Sequence, residues 1–295
     1  MCIRDRFYRF CSDNKNPDRL VAGAQDNSTI KKSGDNWEIV FGGDGTDCWI
    51  DPNNPEYWYY SYVFGEFYRS INSGVNKSLM IRPDKFANEE GAWISPMSID
   101  FAGTNRLYVG FRQIYRSETY GKNDSWMPVS AFSNTDPMKV LTVYNKHIYA
   151  ANNSKLFYSF DDGIHWQIKN MYGITSIEID PNNQKRDWIN QGGFSDGNKV
   201  FLFDNETVTN ISGNLPNIPV NCIAYQKNSP DRIFIGTDIG VYYSDYNSGF
   251  WQRYGTSLPN TIVTDIELLS DHNLIRISSY GRGLWEAPLT NCNLP

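Results

Sequence analysis

A short strand ending recurs along this chain and restricts its fold more than any other feature. It appears as Phe67-Tyr68-Arg69-Ser70, Ile114-Tyr115-Arg116-Ser117, Leu156-Phe157-Tyr158-Ser159 and Val241-Tyr242-Tyr243-Ser244, with the serines 47, 42 and 85 residues apart. A degenerate copy, Val200-Phe201-Leu202-Phe203-Asp204, falls midway across the last gap. A period of about 40–45 residues with several short strands per copy is the signature of a β-propeller, in which no unit buries its apolar face alone and successive units stack round an axis.

Each copy reads in the same order. An alternating strand such as Thr175-Ser176-Ile177-Glu178-Ile179-Asp180 leads into a Pro- and Asn-rich turn, as in Asp51-Pro52-Asn53-Asn54-Pro55 or Asp180-Pro181-Asn182-Asn183. Pro presets φ there and Asn tolerates the left-handed region. A second strand, Arg106 to Gly110 or Arg232 to Gly236, is followed by a loop, the Tyr-x-Ser strand, a tight turn, and a fourth strand opening near Trp37, Trp126, Trp166 or Trp251. Copies start near Phe7, Asp47, Ser95, Pro137, Ile174, Val220 and Val263, which predicts an all-β propeller of about seven four-stranded blades. The last copy stops after its third strand (Gly283 to Leu289), and its fourth is expected from residues upstream of Met1. Residues 1–6 read as a non-native or truncated start, 7–289 as a single propeller, and 290–295 as the beginning of a linker to a further region.

Composition narrows the function classes. At 40% hydrophobic and 15% aromatic residues, the 295-residue chain can build a large core and is not of the disordered class. A formal net charge of −6 argues against a nucleic-acid surface. No run approaches the roughly 18 apolar residues of a membrane helix. The five cysteines (Cys2, Cys11, Cys48, Cys222, Cys292) form no C-x-x-C pair, so no metal site is expected and isolated thiols are favoured, one disulfide remaining open. The three histidines show no metal spacing, and no cofactor fingerprint appears.

The segment Ser159-x-Asp161-x-Gly163-x-x-Trp166 matches the Asp-box, or bacterial neuraminidase repeat, at every fixed position. Ser70-x-Asn72-x-Gly74 lacks the Trp, Ser117-x-Thr119-x-Gly121 has Trp126 late, and Asp245-x-Asn247-x-Gly249 has Trp251 one place early. Gly42-Gly43-Asp44-Gly45 before Ile50-Asp51-Pro52, with the terminal Tyr280-Gly281-Arg282-Gly283-Leu284-Trp285-Glu286, resembles the sortilin-type, glycosyl-hydrolase-like propellers of secreted Bacteroidetes proteins. The resemblance spans the chain from about Phe7. It implies an extracellular or cell-surface location, with type IX secretion and flanking domains in a longer parent chain.

The box itself reads as structural: the carboxylate caps turn amides, Gly permits positive φ, and the Trp is expected to bury its ring against the next sheet. Ligand contacts are then expected on the opposite face, from the loops between second and third strands and from the crossovers between blades. The register places Gln25, Asp26, Phe64, Phe111, Arg112, Asn152, Asp238, Tyr280 and Arg282 there. A long insertion from Arg82 to Trp93 lies on the same face. The reading is a non-catalytic binding or scaffold module for an extracellular glycan, peptide or neighbouring domain. The alternative, a xyloglucanase-like glycoside hydrolase, would need a carboxylate pair from Asp44, Asp47, Glu89, Glu90 and Asp238.

Overall fold

The computed structural model describes residues 6–289 apart from 82–88, 90, 101, 103, 134, 184, 228, 246–249 and 256. Within them, strands β1–β27 form seven antiparallel sheets. Blade 1 holds β1 (Phe7–Asp13), β2 (Asn16–Ala24), β3 (Thr29–Ser33) and β4 (Asn36–Phe41), and blade 2 holds β5 (Cys48–Ile50), β6 (Trp58–Tyr62), β7 (Glu66–Ser70) and β8 (Ser78–Ile81). Blade 3 holds β9 (Met97–Ile99), β10 (Leu107–Gly110), β11 (Ile114–Ser117) and β12 (Trp126–Pro128), and blade 4 holds β13 (Val140–Tyr144), β14 (His147–Ala151), β15 (Lys155–Ser159) and β16 (Gln167–Asn170). Blade 5 holds β17 (Ile174–Ile179), β18 (Arg186–Gln191), β19 (Val200–Asp204) and β20 (Thr207–Asn210), and blade 6 holds β21 (Val220–Tyr225), β22 (Arg232–Thr237), β23 (Gly240–Asp245) and β24 (Gln252–Arg253). Blade 7 has three strands, β25 (Val263–Leu269), β26 (Leu274–Ser279) and β27 (Gly283–Pro288). The chain is a seven-bladed all-β propeller, and its innermost strands start within a few residues of the positions read from the repeat. No helix among the described residues is long and apolar enough to cross a membrane.

Seven apolar clusters form the core, one in each gap between neighbouring blades. Between blades 4 and 5, Tyr149, Leu156 and Tyr158 meet Ile177, Ile189 and Phe203. Between blades 2 and 3, Tyr59 and Phe67 meet Val109 and Phe111. Because successive strand residues point to opposite sheet faces, each blade feeds two cores from one alternating sequence. The ring closes where β1 packs against β25 and β26.

The turns behave as the residue types dictate. Asp51 Oδ1 accepts the Asn53 and Asn54 amides at 2.8 and 3.1 Å, and Asp180 Oδ1 accepts Asn182 N–H at 2.9 Å. After β15, Ser159 Oγ accepts Gly163 N–H at 2.9 Å and donates to Asp161 Oδ1 at 2.9 Å, while that carboxylate accepts His165 N–H at 2.8 Å. The backbone N–H of His165, with its ring, holds the Asp161 carboxyl down at about 2. Ser70, Asn72 and Gly74 repeat the same bonds after β7. Gly163 has φ +85° and a Cβ there would lie 2.7 Å from Val129 O, so no other residue fits.

One expectation is corrected. The Trp166 indole N–H donates to Val129 O at 2.9 Å, and its ring lies 5.0 Å from Phe132, so it docks on the preceding blade and not the next. Trp251 does likewise, donating to Ile211 O at 2.9 Å. Residue parity along the outer strand decides the direction. Asn247 and Gly249, expected to shape the turn before Trp251, lie outside the described residues, as do Cys2, Cys292 and residues 290–295.

Candidate functional site at the channel and its mouth

The innermost strands surround a central cavity of about 420 Å³. Each of these strands has one edge with no strand partner, so its backbone groups need other acceptors and donors. They are supplied by side chains of the preceding blade. Asp47 Oδ2 accepts Met97 N–H at 3.3 Å, Ser98 Oγ accepts Val143 N–H at 3.0 Å, and Glu178 Oε1 accepts Tyr225 N–H at 3.3 Å. Cys11 Sγ accepts Ile50 N–H at 3.2 Å. Thr142 Oγ1 donates to Ile177 O at 2.9 Å and Asn221 Nδ2 to Val263 O at 3.1 Å. At the closure, Asp265 Oδ2 accepts Phe10 N–H at 3.2 Å and Glu267 Oε2 accepts Ser12 N–H at 3.0 Å. All seven junctions carry such a stitch.

These carboxylates line the channel, Asp47 buried and Glu178, Asp265 and Glu267 partly buried. Burial raises Asp47 to about 6, Glu178 to about 7 and Glu267 to about 8, and lifts Asp265 less because Arg9, at 3.6 Å, offsets it. Burial also pushes the Cys11, Cys48 and Cys222 thiols up, which removes their nucleophilic form at neutral pH. No cluster suited to a metal ion occurs among the described residues. Asp47, a candidate acid from the sequence, is thus a blade-to-blade stitch. The other described candidates are also engaged. Asp44 accepts Asp26 N–H, Glu89 Oε2 accepts Gln113 N–H at 3.1 Å, and Asp238 Oδ1 accepts Asn221 Nδ2 at 3.0 Å. Glu90 lies outside the described residues.

At the mouth carrying the second-to-third strand loops and the crossovers, four rings form a row across blades 2, 1 and 7. Phe64 and Trp93 meet edge to face at 5.2 Å, Trp93 Nε1 donates to Tyr8 OH at 3.2 Å, and Tyr8 and Tyr280 lie 6.1 Å apart. Tyr280 OH bonds Gln25 Oε1, and the Arg6 guanidinium sits 5.8 Å over its ring while pairing with Asp26 at 2.8 Å. Phe64 and Trp93 keep 39% and 45% of their surface exposed. Phe64 also has φ +60°, a left-handed conformation that a large side chain adopts only at a cost in backbone strain.

The structure therefore brings Gln25, Asp26, Asp44, Phe64 and Tyr280 together and distributes the others elsewhere. Phe111 is fully buried, edge to face with Phe67 at 6.0 Å, so its ring is core and not loop surface. Asn152 is buried too, its Oδ1 capping the Ser154 and Lys155 amides at 3.0 Å. Arg112 and Arg282 are exposed on blades 3 and 7, and Asp238 lies half-buried on blade 6. Sequence reasoning did not select Tyr8, Arg6 or Trp93. Tyr8 sits inside an alternating strand and reads as core, and only its place at the strand's first turn from the mouth distinguishes it.

No protein-family model matches the chain, and no curated protein matches its sequence. Among solved structures the fold recurs clearly. YCF48 bound to D1 peptide is 13% identical with a TM-score of 0.70, covering 100% of this chain and 95% of that one. U3-55K is 12% identical with a TM-score of 0.70, covering 95% and 90%. The GH74 xyloglucanase from Xanthomonas campestris is 14% identical with a TM-score of 0.65, and covers 96% of this chain but 43% of its own. At such identities what the likeness shows is the seven-bladed propeller.

Proposed function

We propose that this propeller is a binding module that holds an extended polypeptide segment across the channel mouth, on the ring row Phe64–Trp93–Tyr8–Tyr280. The observation that carries the reading is that row: two of its rings stay substantially exposed, and one is held there in a strained backbone conformation. A structurally similar propeller, YCF48, has been captured with a peptide, which supports the class of ligand. The stapled Ser-x-Asp/Asn-x-Gly turns support assigning the chain to the Asp-box propellers, and the extracellular setting rests on that resemblance. For a hydrolase, every described candidate carboxylate is already used by the scaffold.

Panning a random peptide library on the immobilised protein, with a glycan array and reducing-sugar release run in parallel, tests this reading. Enriched peptides should lose at least about tenfold in affinity with Trp93→Ala. Glycan binding that depends on Trp93 in the absence of peptide binding, or sugar release from any polysaccharide, would overturn it.

A further inference from the structure

The gaps between blades are not all closed alike at the outer rim. Between blades 5 and 6, Trp251 is 3% exposed and the segment after β20 covers it: Leu215 is buried in the same cluster, and Asn214 binds the Trp251 backbone through Oδ1 at 2.7 Å and Nδ2 at 3.0 Å. Between blades 3 and 4 the equivalent segment, after β12, is held by its own blade instead. Gln113 Oε1 accepts Phe132 N–H at 2.7 Å and Gln113 Nε2 donates to Phe132 O at 2.8 Å. A groove of about 750 Å³ is left open beside β16 and Trp166.

The lining of this groove is apolar with one exception. Phe132 lies 4.4 Å from Phe157 and 5.0 Å from Trp166, and Ile164 and Ile168 line the groove while 74% and 51% exposed. Ile168 holds the register that blade 6 gives to Arg253, since Phe157↔Ile168 corresponds to Tyr242↔Arg253. An outward position filled by a cation in one blade thus carries an aliphatic side chain in the other. The single charged residue of the lining is Lys155, two residues before Phe157 and on the same sheet face. Lys155 is half-buried, and its ammonium makes no hydrogen bond or ion pair among the described residues.

Exposed apolar walls with one uncompensated cation fit an apolar ligand that brings an anion. Covering Phe132 and Ile168 also takes water from Lys155, and an uncharged cover would leave that ammonium desolvated and unpaired. The groove is open on its outer side, so a lone alkyl chain would stay half in water, whereas a segment backed by its own protein closes it. The groove follows β16, Gln167–Asn170, for about 13 Å, the length of about four extended residues. We propose that it is a second docking site, which seats a short apolar polypeptide segment whose Asp or Glu side chain pairs with Lys155. The site lies on the outer rim of blades 3 and 4, away from the ring row on blades 2, 1 and 7, and is independent of what the mouth binds.

Panning a random peptide library on the immobilised full chain, with Ile168→Glu as the counter-selection, isolates ligands of this groove. Ile168 and Ile164 are exposed, so Glu at either position should leave urea unfolding unchanged, and Ile164→Glu serves as the second variant. Enriched peptides should combine apolar residues with at least one Asp or Glu, shift the Ile164 and Ile168 methyl resonances, and bind either variant at least about tenfold more weakly. Lys155→Gln and the peptide's own acid-to-amide change should each cost about two- to fivefold, and together no more than either alone. Peptides that lack an acid, or whose affinity ignores Lys155 and Ile168, would overturn the proposal. Affinity lost with Trp93→Ala would assign the peptides to the mouth and overturn it as well. So would Lys155-dependent binding of dodecanoate with no peptide enriched, which would make the groove a lipid site.

Discussion

The junction between blades 4 and 5 and the closure between blades 7 and 1 do the same job with different chemistry. The first buries eleven side chains drawn from both blades and the crossover, with Tyr149, Tyr158 and Phe203 meeting edge to face or stacked. At the second, five buried side chains all belong to blade 1, and blade 7 contributes the half-buried Leu284. The closure is instead polar. Buried Arg276 donates to Ser12 Oγ at 2.7 Å, to Pro17 O at 3.1 Å and to Glu286 at 2.9 Å, beside the Asp265 and Glu267 stitches. The difference teaches that blades adjacent in sequence can rely on non-directional burial, whereas the ring-closing contact, between residues some 255 positions apart, is specified by directional bonds.

The largest expected effect separates the two junctions by truncation. Phe203→Ala removes a fully buried ring and should cost about 3–5 kcal/mol in urea unfolding. Leu284→Ala, at a half-exposed site, should cost about 1 kcal/mol. Equal costs would break the comparison.

Acidity sharpens it. Glu267 has a folded-state value near 8 against an ordinary 4.5, because burial disfavours its charge. A raised carboxyl contributes stability that is fully present below 4.5 and lost as pH climbs through about 8. Glu178, at the blade 5–6 junction, loses its share through about 7, and Asp47, between blades 2 and 3, through about 6. Thermal stability should therefore be higher near pH 5 than near pH 9, by a few kcal/mol at most since the channel admits solvent. Exchange of β1 amides should rise in the alkaline limb while β17 amides change little. Glu267→Gln, which keeps an acceptor for Ser12 N–H and cannot ionise, should flatten that limb. A β1 profile unmoved by this variant would show that closure does not depend on the carboxyl.

Much of this scaffold was legible because its signals are local. Period-two alternation, Asp-Pro-Asn turns and the Ser-x-Asp-x-Gly box each specify backbone geometry within a few residues, and so the starts of β1, β17, β21 and β25 were read to the residue. The three-stranded blade 7 was legible for the same reason. The site was less so. Phe111 and Asn152 sit in loops by register, yet one faces the inter-blade core and the other caps its own turn. Both outcomes depend on which way a short loop turns after the strand. The inner-edge stitches were also missed, since Glu178 or Glu267 in an alternating strand looks the same as a solvated residue until the neighbouring blade's free amide is placed beside it.

The smallest effect tests whether the row of rings above the closure is kept for binding. Phe64 carries a left-handed backbone that costs a side-chain-bearing residue about 1–2 kcal/mol relative to Gly. Half-exposed, its ring returns little burial, so Phe64→Gly should leave stability unchanged or raise it by up to about 1 kcal/mol. The same substitution should weaken a mouth-bound peptide by about tenfold. Stability and affinity moving in opposite directions is what strain retained for a ligand produces. If Phe64→Gly instead destabilised the protein and left binding intact, the ring would be a packing element of blade 2. The mouth would then resemble the blade 4–5 junction, held by burial, and not the closure, held by specific contacts.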